Sequence, residues 1–150
     1  MKKKDLYQVS LKVFVKNNKG EVLAMKADPH GSYAGFYDFP GGRIDMDEFH
    51  TPFFEIIKRE IEEEIGSNIV YTLNPKPVAT GRHCIEAQYA RGAKDIHVVY
   101  LFFEAKYVSG EVIISDEHTG FEWLDLLNIE LEKYFKSGNL EGVRMYINTL

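Results

Sequence analysis

A mixed α/β sandwich, a β-sheet between helices, is the fold class this sequence predicts. Three stretches carry that reading. Residues 9–25, VSLKVFVKNNKGEVLAM, alternate apolar and polar side chains about a turn. Residues 52–65, PFFEIIKREIEEEI, place apolar residues at helical spacing. Residues 96–105, IHVVYLFFEA, are nearly all apolar, as a central strand covered on both faces would be. At 150 residues the chain is expected to form one domain, 1–150, with a substantial core.

In chain order, Val9, Leu11, Val13 and Val15 alternate with Ser10, Lys12, Phe14 and Lys16, and NNKG supplies the turn of a hairpin. Residues 27–42, ADPHGSYAGFYDFPGG, read as a long loop with a short extended piece near Phe36–Phe39, and loops of this length are often functional. The helix that follows has Thr51 as its expected N-cap, Pro52 in the first helical position and Gly66 as its stop. NIVYTL, PVATGRHCIEAQY and DIHVVYLFFEAKYV then read as strands, with the turn GAKD before the last, and SGEVII as one further strand. FEWLDLLNI suggests a short helix and LEGVRMYINTL a C-terminal helix whose apolar residues cap the core or serve a homodimer interface.

Composition narrows the function. The net charge is −5 and the pI about 5.5, so the basic footprint of a nucleic-acid-polymer binder is absent. The one cysteine, Cys84, excludes an internal disulfide and multi-cysteine zinc sites, and reads as a half-buried strand residue. MKKKDLYQ lacks the apolar run of a signal peptide, and no segment has transmembrane length; cytoplasmic residence and no membrane partner are the expectations.

KREIEEEIG, residues 58–66, crowds Glu60, Glu62, Glu63 and Glu64 together at a cost in like-charge repulsion. At about 100° per residue, Phe54, Ile57, Ile61 and Ile65 form one apolar stripe. Glu60, Glu63 and Glu64 fall together at its margin, and Glu62 points away. Carboxylates at the rim of a core need compensation, from Arg59 or from hard divalent cations that take oxygen ligands. Spacing alone is equally the pattern of a Glu-rich solvated helix.

The preceding FPGGRIDMDE changes the balance. Gly42 to Gly66 resembles the Nudix box of the MutT-like Nudix hydrolases: Gly, five residues, Glu, seven residues, Arg-Glu-aliphatic-x-Glu-Glu-x-Gly-aliphatic. Gly42 and Glu48 match its first half; Arg59, Glu60, Ile61, Glu63, Glu64 and Gly66 match its second. Ten residues rather than seven separate Glu48 from Arg59, an excess placed at Phe49–Thr51 that puts the role of Glu48 in question. Asp45 stands where glutamate is usual, Asp47 where glycine is, and Ser67 where an aliphatic residue is. SDEHTGFEWLDL resembles a later family segment, in which Glu117 matches a position that often supplies another metal carboxylate; Trp123 reads as core.

The resemblance implies the Nudix fold, a mixed β-sheet sandwiched between α-helices, and Mg²⁺- or Mn²⁺-dependent cleavage of the pyrophosphate linkage of a nucleoside diphosphate derivative. It implies Glu60, Glu63, Glu64 and Glu117 as metal ligands. Arg59 would orient Glu60, which with Glu63 carries catalysis, and Glu60 or Glu117 would take the water's proton. Gly41 and Gly42 would let the backbone turn beside the phosphates. Tyr33, Phe36 and Tyr37 are candidates to stack on a base, and Arg82, His83, Arg91 and Lys94 to contact phosphates. The partner implied is a small-molecule nucleotide. A non-catalytic binding module of the same fold is the rival expectation.

Overall fold

The computed structural model describes residues 1–92 and 94–150. Two parallel strands lie at its centre, β1 (Tyr7–Lys16) and β7 (Ile96–Ser109), paired from Tyr7↔His97 to Lys16↔Lys106. Each central strand divides its other edge between two partners. β1 pairs at Lys16 with β2 (Val22–Lys26), and at Ser10–Lys12 with β4 (Gly41–Arg43). β7 pairs first with β6 (Ala79–Ile85), then with β5 (Val70–Leu73). The short β3 (Tyr37–Asp38) and β8 (Gly120–Leu124) both join β2, completing an eight-stranded mixed sheet.

Both faces of the sheet are covered. On one, Ile56, Ile57, Ile61 and Ile65 of helix α1 (Phe53–Ile65) pack over Leu11, Val13, Val15, Leu23, Met25 and Phe103. On the other, Val143 and Tyr146 of α3 (Ser137–Ile147), with Phe135 after the short α2 (Leu131–Tyr134), pack over Phe14, Phe39, Val98, Tyr100 and Phe102. The apolar run of β7 is explained: Val98, Tyr100 and Phe102 serve one core, Phe103 and Ala105 the other. Complete burial of each large aliphatic side chain contributes ~2 kcal/mol. The C-terminal stretch is core, since Tyr146 is 1% exposed and stacks on Phe14.

Five expectations are corrected. FEWLDLLNI forms no helix: Gly120–Leu124 is a strand and a turn follows, because the free edge of β2 offers unpaired backbone groups that outweigh local preference. SGEVII forms no strand of its own: Ser109 ends β7 and the residues after it join no ladder; instead Ile113 N and Ser115 N donate to the carbonyls of Ile65 (3.0 Å) and Glu64 (3.2 Å), satisfying the open C-terminus of α1. That helix starts at Phe53 with Pro52, not Thr51, as its N-cap, while Gly66 stops it at φ +97°. Its buried arc takes in Ile56 rather than Phe54, which lies along an open hollow with Ile61 and Ile69. Cys84 sits on β6 as expected but is exposed. The expected turn at Gly92–Asp95 includes Ala93, which lies outside the described residues. Among the described residues no helix is long and apolar enough to cross a membrane.

Candidate active site

Rotation of α1 toward Ile56 brings two of its glutamates under cover. Glu60 and Glu64 are 8% and 9% exposed, whereas Glu63 remains open to solvent. The carboxylates face a cleft of about 480 Å³ whose opposite wall is β4, with Gly41 and Gly42. Gly41 has φ +137°, and a Cβ there would meet the Leu11 carbonyl oxygen at 1.9 Å, so only glycine fits. A Cβ on Gly42 would lie 2.5 Å from the Glu60 carboxylate. The absence of a side chain is what lets Glu60 approach the strand.

Arg59 organises the acidic side. Its Nε and Nη2 donate to Glu48 at 3.1 and 2.8 Å, a bidentate pair, while Nη1 donates to Glu60 at 3.0 Å and Glu63 at 3.3 Å. Glu48 also accepts from Asp45 N at 2.9 Å, closing a capping box across the 3₁₀ turn Met46–Glu48. These bonds, that of Asp45 N first, hold the Glu48 carboxyl below its ordinary pKa. The extra residues Phe49–Thr51 are accommodated by a turn, Thr51 N to Glu48 O at 3.0 Å, and leave the Glu48–Arg59 pair intact.

Glu64 stands differently. Burial pushes its pKa up to about 9, against the pull of Lys12, and its Oε2 is enclosed with no hydrogen-bond partner. Glu60 is raised too, chiefly by burial. The segment that caps α1 carries Ser115 and Glu117 into the same cleft, and Ser115 Oγ is a second enclosed oxygen without a partner. Enclosed, unsatisfied oxygens of this kind call for a ligand that accepts oxygen donors. Glu60, Glu63, Glu64 and Glu117 form the all-oxygen donor set suited to Mg²⁺ or Mn²⁺. Among the described residues no three of the acidic or imidazole groups already form a ready cation cage. The guanidinium of Arg59 lies between Glu48, Glu60 and Glu63 and supplies their nearest positive charge.

Behind the cleft lies a buried pair whose parts the sequence did not single out. Lys12 Nζ, reached by the pairing of Lys12 with Gly41, donates to Asp38 at 3.1 and 3.3 Å, and Asn139 Nδ2 donates to Asp38 at 3.0 Å. A lysine at the middle of β1, flanked by Leu11 and Val13, was the available signal for this pair. Arg43 and Ser115 line the cleft unannounced by any pattern.

Seven candidates therefore converge: Gly41, Gly42, Arg59, Glu60, Glu63, Glu64 and Glu117 all line the one cleft. The other seven lie elsewhere: Tyr33 stacks on His83 and shares a hydrogen bond with Tyr100, and Arg91 and Lys94 are exposed between β6 and β7. Tyr37 donates to Glu122 and packs against Tyr134, Phe36 lies beneath the Lys136 ammonium at 5.2 Å, and Arg82 is exposed on β6, beside Glu141.

The NUDIX domain matches residues 6–144, nearly the whole chain. The protein belongs to the Nudix family. Of the Nudix-box residues read from the sequence, Gly42, Arg59, Glu60, Glu63 and Glu64 meet at the cleft, and family members are pyrophosphohydrolases that typically depend on divalent metal ions. Nucleoside triphosphatase NudI of Escherichia coli O139:H28 is 28% identical over 121 residues, covering 78% of this chain and 83% of its own; NudI of Shigella flexneri matches equally. The crystal structure of a MutT protein from Methanosarcina mazei Go1 has a TM-score of 0.71 at 23% identity, covering 95% of this chain and 94% of its own. A MutT NUDIX hydrolase from Burkholderia pseudomallei has a TM-score of 0.61 at 26% identity, covering 84% and 88%. The mixed sheet between helices is thus the Nudix fold.

Proposed function

We propose that this Nudix protein hydrolyses the pyrophosphate linkage of a nucleoside diphosphate derivative, with nucleoside triphosphates the first class to try. The observation that carries the reading is the enclosed, unpartnered Glu64 oxygen in a cleft with four further carboxylates. The similarity to NudI, a nucleoside triphosphatase, supports the choice of class.

Mg²⁺ or Mn²⁺ held by Glu60, Glu63, Glu64 and Glu117 would offset phosphate charge and acidify a bound water. The chain's own residues do the rest. Arg59 holds Glu60 and Glu63 in place, and Glu48 fixes the guanidinium. Gly41 and Gly42 keep the β4 backbone free of side chains where the phosphates would pass. Glu60, poised by burial toward holding a proton, or the more exposed Glu117 accepts the proton of the attacking water. The catalytic contribution is positioning and electrostatics.

Hydrolysis of a panel of nucleoside triphosphates, sugar nucleotides and dinucleoside polyphosphates, with Mg²⁺ or Mn²⁺, tests this. Metal-dependent turnover of some member, reduced at least ~100-fold in Glu63→Gln and Glu64→Gln, is expected. No turnover of any member despite saturable Mn²⁺ binding would overturn it in favour of a binding module.

A further inference from the structure

The surface around the Asp45–Glu48 turn is apolar where water meets it. A hollow of about 630 Å³ opens there, lined by half-buried Val9 and Ile44 and by exposed Tyr7, Met46, Phe49 and Phe53. Met46 is 101% exposed and Phe49 85%. The turn between them is nonetheless stiff, since Glu48 accepts from Asp45 N at 2.9 Å and from Arg59 at 2.8 and 3.1 Å. Large apolar side chains grouped on an open surface mark an interaction site, and a rigid base removes most of the cost of ordering them on binding. Phe49 is also one of the three residues by which this chain exceeds the spacing of the Nudix box, so the projecting ring is a feature of this chain.

The make-up of the surface selects its occupant. It offers projecting side chains, Met46 and Phe49, and a hollow beside them, as a contact between identical patches about a two-fold axis requires. Its charges are of both signs. Asp45 and Asp47 lie on one side. On the other, exposed Lys2, Lys3 and Lys4 lead into Tyr7, and their segment is tied to β7 by His97 Nδ1 to Asp5 at 2.7 Å. Under a two-fold axis the basic segment of one copy faces the acidic turn of the other. An anionic bilayer would be repelled by Asp45 and Asp47. The four exposed side chains present on the order of 600 Å². A stable interface takes about 800 Å² from each partner, a shortfall that the hollow's walls and charged rim can fill.

We propose that the surface formed by Tyr7, Met46, Phe49 and Phe53 is a two-fold interface with a second copy of this chain, with Phe49 of each copy seated in the hollow of the other.

Sedimentation of the 17.3 kDa chain over about 1–100 µM tests this. A dimer is expected in the upper part of that range. Phe49→Ser, at a position too exposed to disturb the core, should raise the dimer Kd at least ~10-fold with Tm measured at low concentration unchanged. Met46→Ser should weaken the dimer in the same direction. Phe54→Ser removes an exposed ring that lines a different hollow, with Ile61 and Ile69, and should leave the dimer intact. A wild type that stays monomeric overturns the proposal. So does a dimer that survives Phe49→Ser combined with Met46→Ser, or one that Phe54→Ser dissociates. A monomer that pellets with phosphatidylserine–phosphatidylcholine vesicles, and ceases to in Phe49→Ser, overturns it in favour of a membrane surface. Neither Met46 nor Phe49 lines the acidic cleft, so these outcomes leave the pyrophosphatase reading untouched.

Discussion

Arg59 grips Glu48 with two parallel hydrogen bonds, at 2.8 and 3.1 Å, and reaches Glu60 with its remaining terminal nitrogen. The loop before α1 is therefore tied to the carboxylates of that helix through one planar side chain. Lysine offers a single ammonium and cannot make both contacts in that geometry. Arg59→Lys is expected to lower kcat at least ~30-fold while Tm changes little, and Glu48→Gln to lower it less, because one oxygen still accepts. Steady-state kinetics beside thermal denaturation checks this; an active Arg59→Lys variant would refute the positioning role.

Gly42 carries a steric prediction. A methyl group there would overlap the Glu60 carboxylate, and the side chain must swing away from the cleft. Gly42→Ala should cost ~100-fold or more in kcat and weaken Mn²⁺ binding measured by electron spin resonance. Unchanged metal affinity would show that Glu60 is not held by this contact.

Glu64 links stability to pH. Its folded pKa is raised to about 9 by burial, so between about pH 4.5 and 9 the folded chain retains a proton that the unfolded chain releases. Stability of the metal-free protein therefore falls as pH rises through this window. Thermal denaturation from pH 5 to 9 should show this loss, at least ~5 °C in Tm, and Glu64→Gln should remove that component. Equal slopes in both proteins would contradict it.

The Lys12–Asp38 pair predicts strong coupling. Lys12 is 7% exposed, and removing its partner leaves a buried, unpaired charge. Asp38→Asn should cost ~3–5 kcal/mol of stability, and Lys12→Met with Asp38→Asn less than the sum of the single changes. The pair holds Asp38 below its ordinary pKa and Lys12 above its own. Its contribution is complete above the unfolded pKa of Asp38 and below that of Lys12. It is lost as pH falls through the folded value of the first or rises through that of the second. Urea denaturation of the four proteins measures the coupling.

Local chemistry made much of this protein legible in its sequence. The hairpin at residues 9–25 shows its period directly, because side-chain alternation is a property of the strand itself, and the doubly covered β7 shows as a nearly unbroken apolar run. Helical spacing likewise groups Glu60, Glu63 and Glu64 whatever surrounds them, and the glycine loop before the helix connects that group to a family.

What depends on distant partners was decided only by the tertiary structure. Gly120–Leu124 became a strand because β2 had an edge to fill, and the chain after Ser109 left the sheet because the last carbonyls of α1 needed donors. The same capping carries Ser115 and Glu117 into the cleft. The helix spacing could group the glutamates but not rank them. Packing against Leu11 and Val13 turned Glu60 and Glu64 inward and left Glu63 outside, so burial, a property of the whole fold, gave chemically identical side chains different exposures and raised the pKa of the two that are covered.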